Sequence, residues 1–336
     1  MRTIAAGSRP SVGRHRYTAL VDPRTVVIVN PQSQGGRLGK RWPELADTIG
    51  RAFPFDEAIT QAAGDATRLA REALKAGAER VVAIGGDGTV NEVVNGFFDE
   101  HGAPVAPEAS FALIPFGTGG DFRRTLEIPR ETVDAAAVIK ANRRRKIDVG
   151  KLELTTASGG RQLRMFANIA SFGVSGVVDR LVNESGKKFG RLSFAVATAR
   201  ATWSYKNQRV QLVFDGNVAD RVEATINTVA IANGKYFGGA MKVAPDAEID
   251  DGLFDVVAMG DFGFADLLKS GRRLYQGTHL GMDKVTARRA RIVEAEPVEP
   301  NAIIELDVDG ESPGRLPARF ELVPGALWIV VPGGTE

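Results

Sequence analysis

The amino-acid sequence predicts an α/β N-terminal domain with a doubly wound parallel sheet, followed by a second domain built as a mostly antiparallel β-sandwich. Within residues 25–142, short apolar runs alternate with segments whose apolar residues recur at helical spacing, as in parallel strands joined by helices. Beyond residue 148, short strand-like runs separated by turns dominate. A chain of 336 residues is long enough for two domains with separate cores.

The first domain is predicted to alternate strands and helices along the whole segment. The run "TVVIVNP" stops at Asn30-Pro31, and Pro43 is tolerated in the first turn of the helix predicted to follow. Gly77 is a suitable end for the second helix. The predicted order is strand 25–31, helix 41–53, strand 55–60, helix 63–77, strand 80–86, helix 89–98, strand and loop 110–122, and helix 130–142.

Polar, glycine-rich loops follow these strands at 30–36, 60–64, 85–91 and 117–121. In a doubly wound sheet, ligands collect outside the carboxyl ends of the strands. We therefore expect the four loops to lie on one rim and to form a binding site.

The second domain is predicted from its strand-like runs and its scarcity of helical patterns. The strand-like runs are 163–173, 209–216, 222–234, 253–260, 290–297, 302–310 and 318–332, with helical patterns near 175–204 and 263–278. The predicted divisions are a basic tail of residues 1–24, a nucleotide-binding domain of residues 25–147, and a substrate domain of residues 148–323, with segment 324–336 a candidate to return to the first domain.

Composition excludes several classes of function. The 43 lysines and arginines against 41 acidic residues give a net charge of +2, which is too balanced for a dedicated nucleic-acid binder, so no nucleic-acid partner is expected. The absence of cysteine excludes disulfides, thiolate metal sites and cysteine nucleophiles. No apolar run approaches the length of a membrane span. The absence of cysteine fits a reducing cytosol, and we expect a cytoplasmic protein.

The segment Gly85-Gly86-Asp87-Gly88-Thr89 directly follows an apolar run and precedes a helical pattern. Glycines let backbone N–H groups face an anion, and the start of the next helix adds positive potential. The alternative is a tight turn in which Asp87 or Thr89 only caps the helix. No Lys-Ser or Lys-Thr follows, so the segment is not a Walker-type loop.

Four segments together resemble the diacylglycerol kinase catalytic family, which includes soluble bacterial lipid kinases, sphingosine kinases and ceramide kinases. They are "NPQSQGG", "GGDGTVNEVVNG", "PFGTGGDFRRTLEIP" and "LDVDGE", and the similarity continues through "APDAEIDDGLFDV" and "ELVPGALWIVVP". The resemblance runs from about residue 25 to the end of the chain. It implies a first domain like that of NAD kinases and phosphofructokinases, which share the GGDGT loop, and ATP bound in the cleft between the domains.

The resemblance also implies which residues bind ATP. These are Asn30, Pro31, Gln32, Ser33, Gln34, Thr60, Gly85, Gly86, Asp87, Gly88, Thr89, Asn91, Thr118 and Asp121. The chain departs from the family pattern twice: Gln34 stands where glycine is usual, and Gly120 replaces the usual asparagine.

Five acids match carboxylates that the family gathers around the cleft through Mg²⁺ and water: Asp87, Asp121, Asp148, Asp309 and Glu311. The resemblance implies that Glu311 accepts the proton of the acceptor hydroxyl, that Asp309 assists it, and that Asp87 acts through Mg²⁺. For each of these acids taken singly, a turn residue or a solvated charge is the more common role. Asp309-Gly310 is itself a good hairpin turn.

A second Mg²⁺ site is implied at "AEIDDGLFD". The ligands would be the side chain of Asp251 and the main-chain carbonyls of Glu248 and Leu253, an oxygen set that suits a hard cation. A plain Asp-Gly turn is the alternative.

The resemblance predicts an ATP- and Mg²⁺-dependent lipid kinase acting on a diacylglycerol-like, ceramide or sphingoid lipid. The basic and aromatic residues in 175–203, and the arginines of the tail, predict transient contact with an anionic membrane surface, at the inner face of the membrane. A solvated surface helix and a disordered tail are the alternatives. Rival functions are a NAD kinase-like small-molecule kinase and a non-catalytic nucleotide or lipid sensor, and a homodimer is left open.

Overall fold

The computed structural model describes residues 22–117, 120–178 and 205–333. The first part of the chain forms β1 (Thr25–Val29), α1 (Ser33–Gly50), β2 (Asp56–Ile59), α2 (Asp65–Lys75), β3 (Arg80–Gly85), α3 (Asp87–Gly96), β4 (Ser110–Pro115), α4 (Asp121–Thr125) and α5 (Thr132–Ala141). The remainder forms β5 (Arg144–Thr155), β6 (Arg161–Phe166), β7 (Ile169–Gly173), β8 (Gln208–Phe214), β9 (Val222–Ile226), β10 (Thr228–Ala232), β11 (Phe254–Met259), α6 (Phe264–Gln276), β12 (Val285–Ala290), β13 (Ile292–Pro297), β14 (Leu306–Val308) and β15 (Arg315–Val330).

The first four strands pair in parallel in the order β2-β1-β3-β4. The strands β1 and β3 are buried along their whole length, which is why they appear in the sequence as continuous apolar runs. The chain runs from β1 outward to β2 and then reverses direction towards β3 and β4, so right-handed crossovers place α1 on one face of the sheet and α2 and α3 on the other. Packing of α1 with α5 and of α2 with α3 agrees with this arrangement.

The helix α1 begins earlier than the sequence predicts. Its first turn is irregular, because Gln34, Gly35 and Gly36 have positive φ angles of 54°, 65° and 85°. The chain then continues as a regular helix that buries Leu38 and Trp42 against the sheet. The glycine-rich segment predicted to be a loop is thus the distorted start of the helix.

The long strand β15 joins the two halves of the molecule. It pairs antiparallel with β5 and β13, and near its end Trp328 and Ile329 pair in parallel with Ser110 and Phe111 of β4. The parallel sheet therefore continues into the second half as a ten-stranded sheet.

A second, five-stranded antiparallel sheet has the order β12-β11-β10-β7-β14 and packs against the first sheet. Aromatic rings fill the space between them: Phe166 stacks on Phe254 with centroids 5.6 Å apart, and Phe172 stacks on Phe320 at 6.1 Å. The predicted fold class, an α/β domain followed by a β-sandwich, is confirmed.

The helix predicted near 263–278 is present as α6. The one predicted near 175–204 lies largely outside the described residues, as do the basic tail and Thr118. Among the helices that the structure describes, none is long and apolar enough to cross a membrane.

Candidate active site

The loops after β1 and β3 meet at the rim of the parallel sheet. The side-chain amide of Asn30 donates to Thr89 Oγ1 at 3.1 Å, and its carbonyl oxygen accepts the N–H of Gln32 at 3.1 Å. A Cβ on Gly85 would lie 2.6 Å from Thr89 Oγ1 and 3.1 Å from Ser33 Oγ, so the two loops pack too tightly there for any side chain. The structure thus brings the predicted loop residues into direct contact.

Three other predicted residues of this rim have backbone roles. The N–H of Thr60, at the end of β2, donates to the carbonyl of Val29 at 2.9 Å, and its side chain is buried. The carbonyl of Pro31 accepts the N–H of Gly39. Gln34 adopts the left-handed conformation, which favours the glycine usual at this position. Glutamine therefore adopts it at the cost of backbone strain.

Asp87 lies at the start of α3, with Gly86 as the N-cap residue. Its carboxylate accepts the N–H of Gly120 at 2.9 Å. Burial raises the pKa of Asp87 to about 6, and the negative charge of Asp121 contributes to the same shift. A carboxylate that is this poorly compensated is suited to a cation and would repel a bare phosphate.

Asp309 is fixed by hydrogen bonds from both halves of the molecule. Its carboxylate accepts the side-chain N–H of Asn91 on α3 at 3.0 Å and the backbone N–H groups of Ala167 and Ile169 at 3.2 and 2.9 Å. Burial raises the pKa of Asp309, and the hydrogen bond from Asn91 lowers it in part. Asn95, one turn beyond Asn91, continues the link through two hydrogen bonds with the backbone of Met165.

Glu311 follows the hairpin turn and faces the glycine loop. Its Oε1 lies 3.1 Å from the position that a Cβ on Gly88 would occupy. Arg164 of β6 lies 3.7 Å from the other carboxylate oxygen. Behind the turn, buried Asp307 accepts the N–H of Gly310 at 3.0 Å and the hydroxyl of Ser171 at 3.3 Å. The turn that carries Asp309 and Glu311 is therefore held from inside the sandwich.

The carboxylate of Asp121 bonds to the second half of the molecule, while its backbone N–H bonds to Asp87 of the glycine loop. Its carboxylate accepts the N–H groups of Gly239 and Ala240, both at 2.8 Å, and a hydrogen bond from Arg124 at 2.9 Å. Because both oxygens are engaged, Asp121 ties the start of α4 to the 239–240 turn and adds negative charge near Asp87.

Asp148, the fifth acid of the predicted cleft set, is held by backbone groups of the second half. Its carboxylate accepts the N–H groups of Gly252 and Gly325, each at 2.7 Å, and its side chain is buried. Asp148 thus ties β5 to the turn at Gly252 and to the irregular part of β15 at Gly325.

Known proteins match the chain over nearly its whole length. The diacylglycerol kinase catalytic domain matches residues 24–152, and the YegS C-terminal NAD kinase beta sandwich-like domain matches residues 168–331. A diacylglycerol kinase of Staphylococcus carnosus (strain TM300) is 33% identical over 300 residues, which cover 88% of this chain and 91% of that protein. The chain belongs to the diacylglycerol kinase family. A diacylglycerol kinase of Bacillus subtilis (strain 168) is 28% identical over 315 residues, covering 92% of this chain and 96% of that one.

A solved structure shares the arrangement of this family member. It is a Bacillus anthracis (strain Sterne) protein that carries a provisional diacylglycerol kinase name, and it superposes with a TM-score of 0.72 at 27% identity, covering 93% of this chain and 99% of that one. Family membership makes the protein a kinase.

The second predicted Mg²⁺ site, around Asp251, has some features that favour a cation and others that do not. Asp251 accepts the N–H of Leu253 at 3.1 Å and also pairs with Arg289. Nearby, burial raises the pKa of Asp255 to about 6, with contributions from the charges of Asp246 and Glu248. Excess negative charge at this turn fits a cation. Over the ranges described, however, no three His, Asp or Glu side chains are grouped closely enough to hold a metal ion.

Sequence reasoning did not single out the arginines around the glycine loop. Arg123, Arg124 and Arg130 line a cavity together with Gly85, Gly86 and Asp87. The adjacent pair Arg123-Arg124, immediately after Asp121, was the available signal. Arg164 beside Glu311 was also missed, because nothing local in β6 distinguishes it from an ordinary exposed strand residue.

Proposed function

We propose that the protein is an ATP- and Mg²⁺-dependent lipid kinase, which transfers the γ-phosphoryl group of ATP to a hydroxyl group of a diacylglycerol-like lipid. The observation that carries the proposal is the approach of Glu311 to Gly88, with Oε1 3.1 Å from the Cβ position of that glycine. A carboxylate from the second half of the chain thereby faces a glycine loop of the type that holds phosphate.

The glycine loop would hold the phosphates of ATP. The backbone N–H groups at the start of α3 and the absence of side chains at Gly86 and Gly88 leave room for close approach, since a Cβ on Gly86 would meet nothing within 4 Å. Asp87 is the residue that would hold Mg²⁺, because burial and the neighbouring negative charge of Asp121 raise its pKa, and a cation would offset both. The ion would supply positive charge to the phosphate oxygens during transfer.

Glu311 would accept the proton of the lipid hydroxyl as that oxygen attacks phosphorus. The guanidinium group of Arg164 lies 3.7 Å from the Glu311 carboxylate and places a positive charge beside it. The three hydrogen bonds to Asp309 and the one from Gly310 to Asp307 keep the turn in a fixed position, so the base does not need to be ordered when substrate arrives.

The acceptor lipid is the finer part of the proposal. Names of the relatives favour diacylglycerol, with ceramide and sphingoid bases as the other candidates. The basic and aromatic segment 175–203 supports a cytoplasmic protein that visits the inner, anionic membrane face to collect its substrate.

The test is transfer of radiolabelled phosphate from ATP to a panel of acceptors in mixed vesicles. The panel contains diacylglycerol, ceramide and sphingosine, with NAD as a soluble acceptor. We expect Mg²⁺-dependent label in the organic phase with diacylglycerol. Label on NAD alone would identify a small-molecule kinase, and no label on any acceptor while ATP still binds would identify a sensor.

Glu311→Gln separates chemistry from binding, because it keeps the shape of the side chain but cannot accept the proton. We expect lipid phosphorylation to fall by about 10²- to 10⁴-fold with ATP affinity nearly unchanged. Glu223→Gln, at an exposed position of edge strand β9, is the matched control and should be silent. If Glu311→Gln turns over near the normal rate, Asp309 becomes the candidate base.

A further inference from the structure

A cavity beside the glycine loop is lined on one side by arginines. Its wall includes Arg123, Arg124 and Arg130, and its other side includes Gly85, Gly86 and Asp87. Among the described residues that line it, Asp87 is the one carboxylate. The cavity thus combines glycine backbone with concentrated positive charge, and both features suit an anion.

Arg123 is held in place at this wall. Its Nη1 donates to the carbonyl of Ile128 at 2.7 Å. Its side chain also lies over Gly120, where a Cβ would be 3.4 Å from Arg123 Nε. Gly120 has a φ of 72°, a conformation that favours glycine. Because glycine has no side chain, the side chain of Arg123 can occupy the adjoining space.

The charges around Arg123 are not balanced within the protein. Burial lowers the pKa of Arg123, and the charges of Arg124 and Arg130 lower it further, whereas Asp87 and Asp121 offset this only in part. Asp121 is engaged with Gly239, Ala240 and Arg124. An incoming anion would relieve the crowding of guanidinium groups.

We propose that Arg123, supported by Arg130, binds a phosphate group of the nucleotide from the side facing the glycine loop. Arg123 supplies a charged hydrogen-bond donor beside Gly120, the position at which the family pattern has the side-chain amide of an asparagine. The proposal rests on the proposed function and assigns a further specificity residue to it. A nucleotide phosphate is favoured over a lipid phosphate because the cavity includes Gly85 and Gly86, whereas Glu311 approaches the loop at Gly88.

The test is calorimetric titration of the full chain and of Arg123→Ala with ADP, adenosine and a short-chain phosphatidic acid. We expect Arg123→Ala to weaken ADP binding by about 10- to 100-fold, as loss of a charged hydrogen bond does. Adenosine binding should be unchanged, since adenosine lacks phosphate. Arg221→Ala removes the same charge at an exposed site where the side chain contacts Gln211, and should leave all three affinities unchanged.

Two further variants test the geometry. Arg123→Lys keeps the charge but not the fork of donors, and should give an intermediate loss of ADP affinity. Gly120→Asn combined with Arg123→Ala should recover part of the affinity, because asparagine tolerates the left-handed conformation and restores a neutral donor. Arg123→Lys also keeps the test valid if Arg123→Ala is too unstable to measure.

The outcomes separate this proposal from the kinase proposal. If the unmodified protein phosphorylates lipid and Arg123→Ala binds ADP as tightly as the unmodified protein, only the assignment of Arg123 is wrong. If Arg123→Ala loses affinity for phosphatidic acid and not for ADP, the cavity takes a lipid phosphate and the nucleotide assignment is overturned. If the unmodified protein binds no nucleotide at all, both proposals fail.

Discussion

Asn91 of helix α3 donates a hydrogen bond to the carboxylate of Asp309 over 3.0 Å, although the two residues lie 218 positions apart in the chain. The contact joins the helix that follows the glycine loop to the turn that carries Glu311. A displacement of either half would therefore move the phosphate loop and the acidic turn relative to each other.

Asn91→Ala should lower the free energy of unfolding by about 1.5 to 3 kcal/mol, because it leaves a buried carboxylate with one donor fewer. Combined with Asp309→Asn, the loss should be smaller than the sum of the two single losses, as expected for residues in contact. Urea unfolding of the two single variants and the double variant measures this coupling. The Asn30 side chain bonds only within the α/β half, so the stability losses of Asn30→Ala and Asp309→Asn should be additive. If the losses of Asn91→Ala and Asp309→Asn were also additive, the structural link between Asn91 and Asp309 would be contradicted.

Asp87→Asn should remove activity and stabilise the protein at the same time. Transfer should fall by about 10³-fold or more, because charge at the phosphate site is lost. The free energy of unfolding without nucleotide or Mg²⁺ should rise at pH 7.5 by roughly 1 to 3 kcal/mol, since burial and Asp121 raise the pKa of Asp87 to about 6 and a neutral amide avoids that penalty.

The measurements for Asp87→Asn are urea unfolding and lipid phosphorylation on the same preparation. Asp283→Asn, at an exposed position, makes the same chemical change and should alter neither quantity. A destabilised Asp87→Asn protein, or one that transfers phosphate at a normal rate, would remove Asp87 from the centre of the site.

Local patterns in the sequence were sufficient for the parts of the fold that short-range physics determines. The buried strands β1 and β3 are continuous apolar runs in the sequence. The glycine loop is recognisable from its glycines, and the structure shows that Gly85 has no space for a side chain. The contact between Asn91 and Asp309 could be proposed only through the family resemblance, because spacing along the chain does not bring such distant residues together.

The remaining features depend on tertiary pairing, which a single sequence does not reveal. Asp148 was grouped with the cleft acids, yet the neighbours of β5 place backbone N–H groups of Gly252 and Gly325 at its carboxylate. Arg123 follows Asp121 like any helix residue, and its importance arises only because Gly120 lacks a side chain and Gly85 lies across the cavity.

Asp251→Ala should lower the melting temperature and abolish a stabilising response to Mg²⁺. A ligand that binds only the folded protein stabilises it by mass action, by about 2.7 kcal/mol at a concentration 100 times its Kd. Thermal unfolding in EDTA and in millimolar Mg²⁺ measures the response. Asp250→Ala, whose carboxylate pairs with Arg145, should retain it. Equal melting temperatures of the unmodified protein in both buffers would make this segment a plain turn.

His279 should make the protein less stable as the pH falls below about 6.5. The side chain is buried, its Nε2 lies 2.9 Å from the carbonyl oxygen of Val243, and burial lowers its pKa. Because the folded pKa lies below the unfolded value of about 6.5, the contribution to stability is complete above that pH. It is lost as the pH falls towards the folded pKa, by up to about 1.4 kcal/mol for each pH unit.

Other groups act in the opposite direction, so the effect of His279 must be isolated by difference. The raised pKa values of Asp87 and Asp255, both about 6, make the folded protein bind protons more readily and stabilise it as the pH falls through 6. We therefore compare the unmodified protein with His279→Gln by urea unfolding between pH 7.5 and pH 5.5. The stability advantage of the unmodified protein should shrink by about 1 kcal/mol over that interval. His101→Gln, at an exposed position, is the control for the substitution itself. A constant difference between the unmodified protein and His279→Gln would contradict the role of His279.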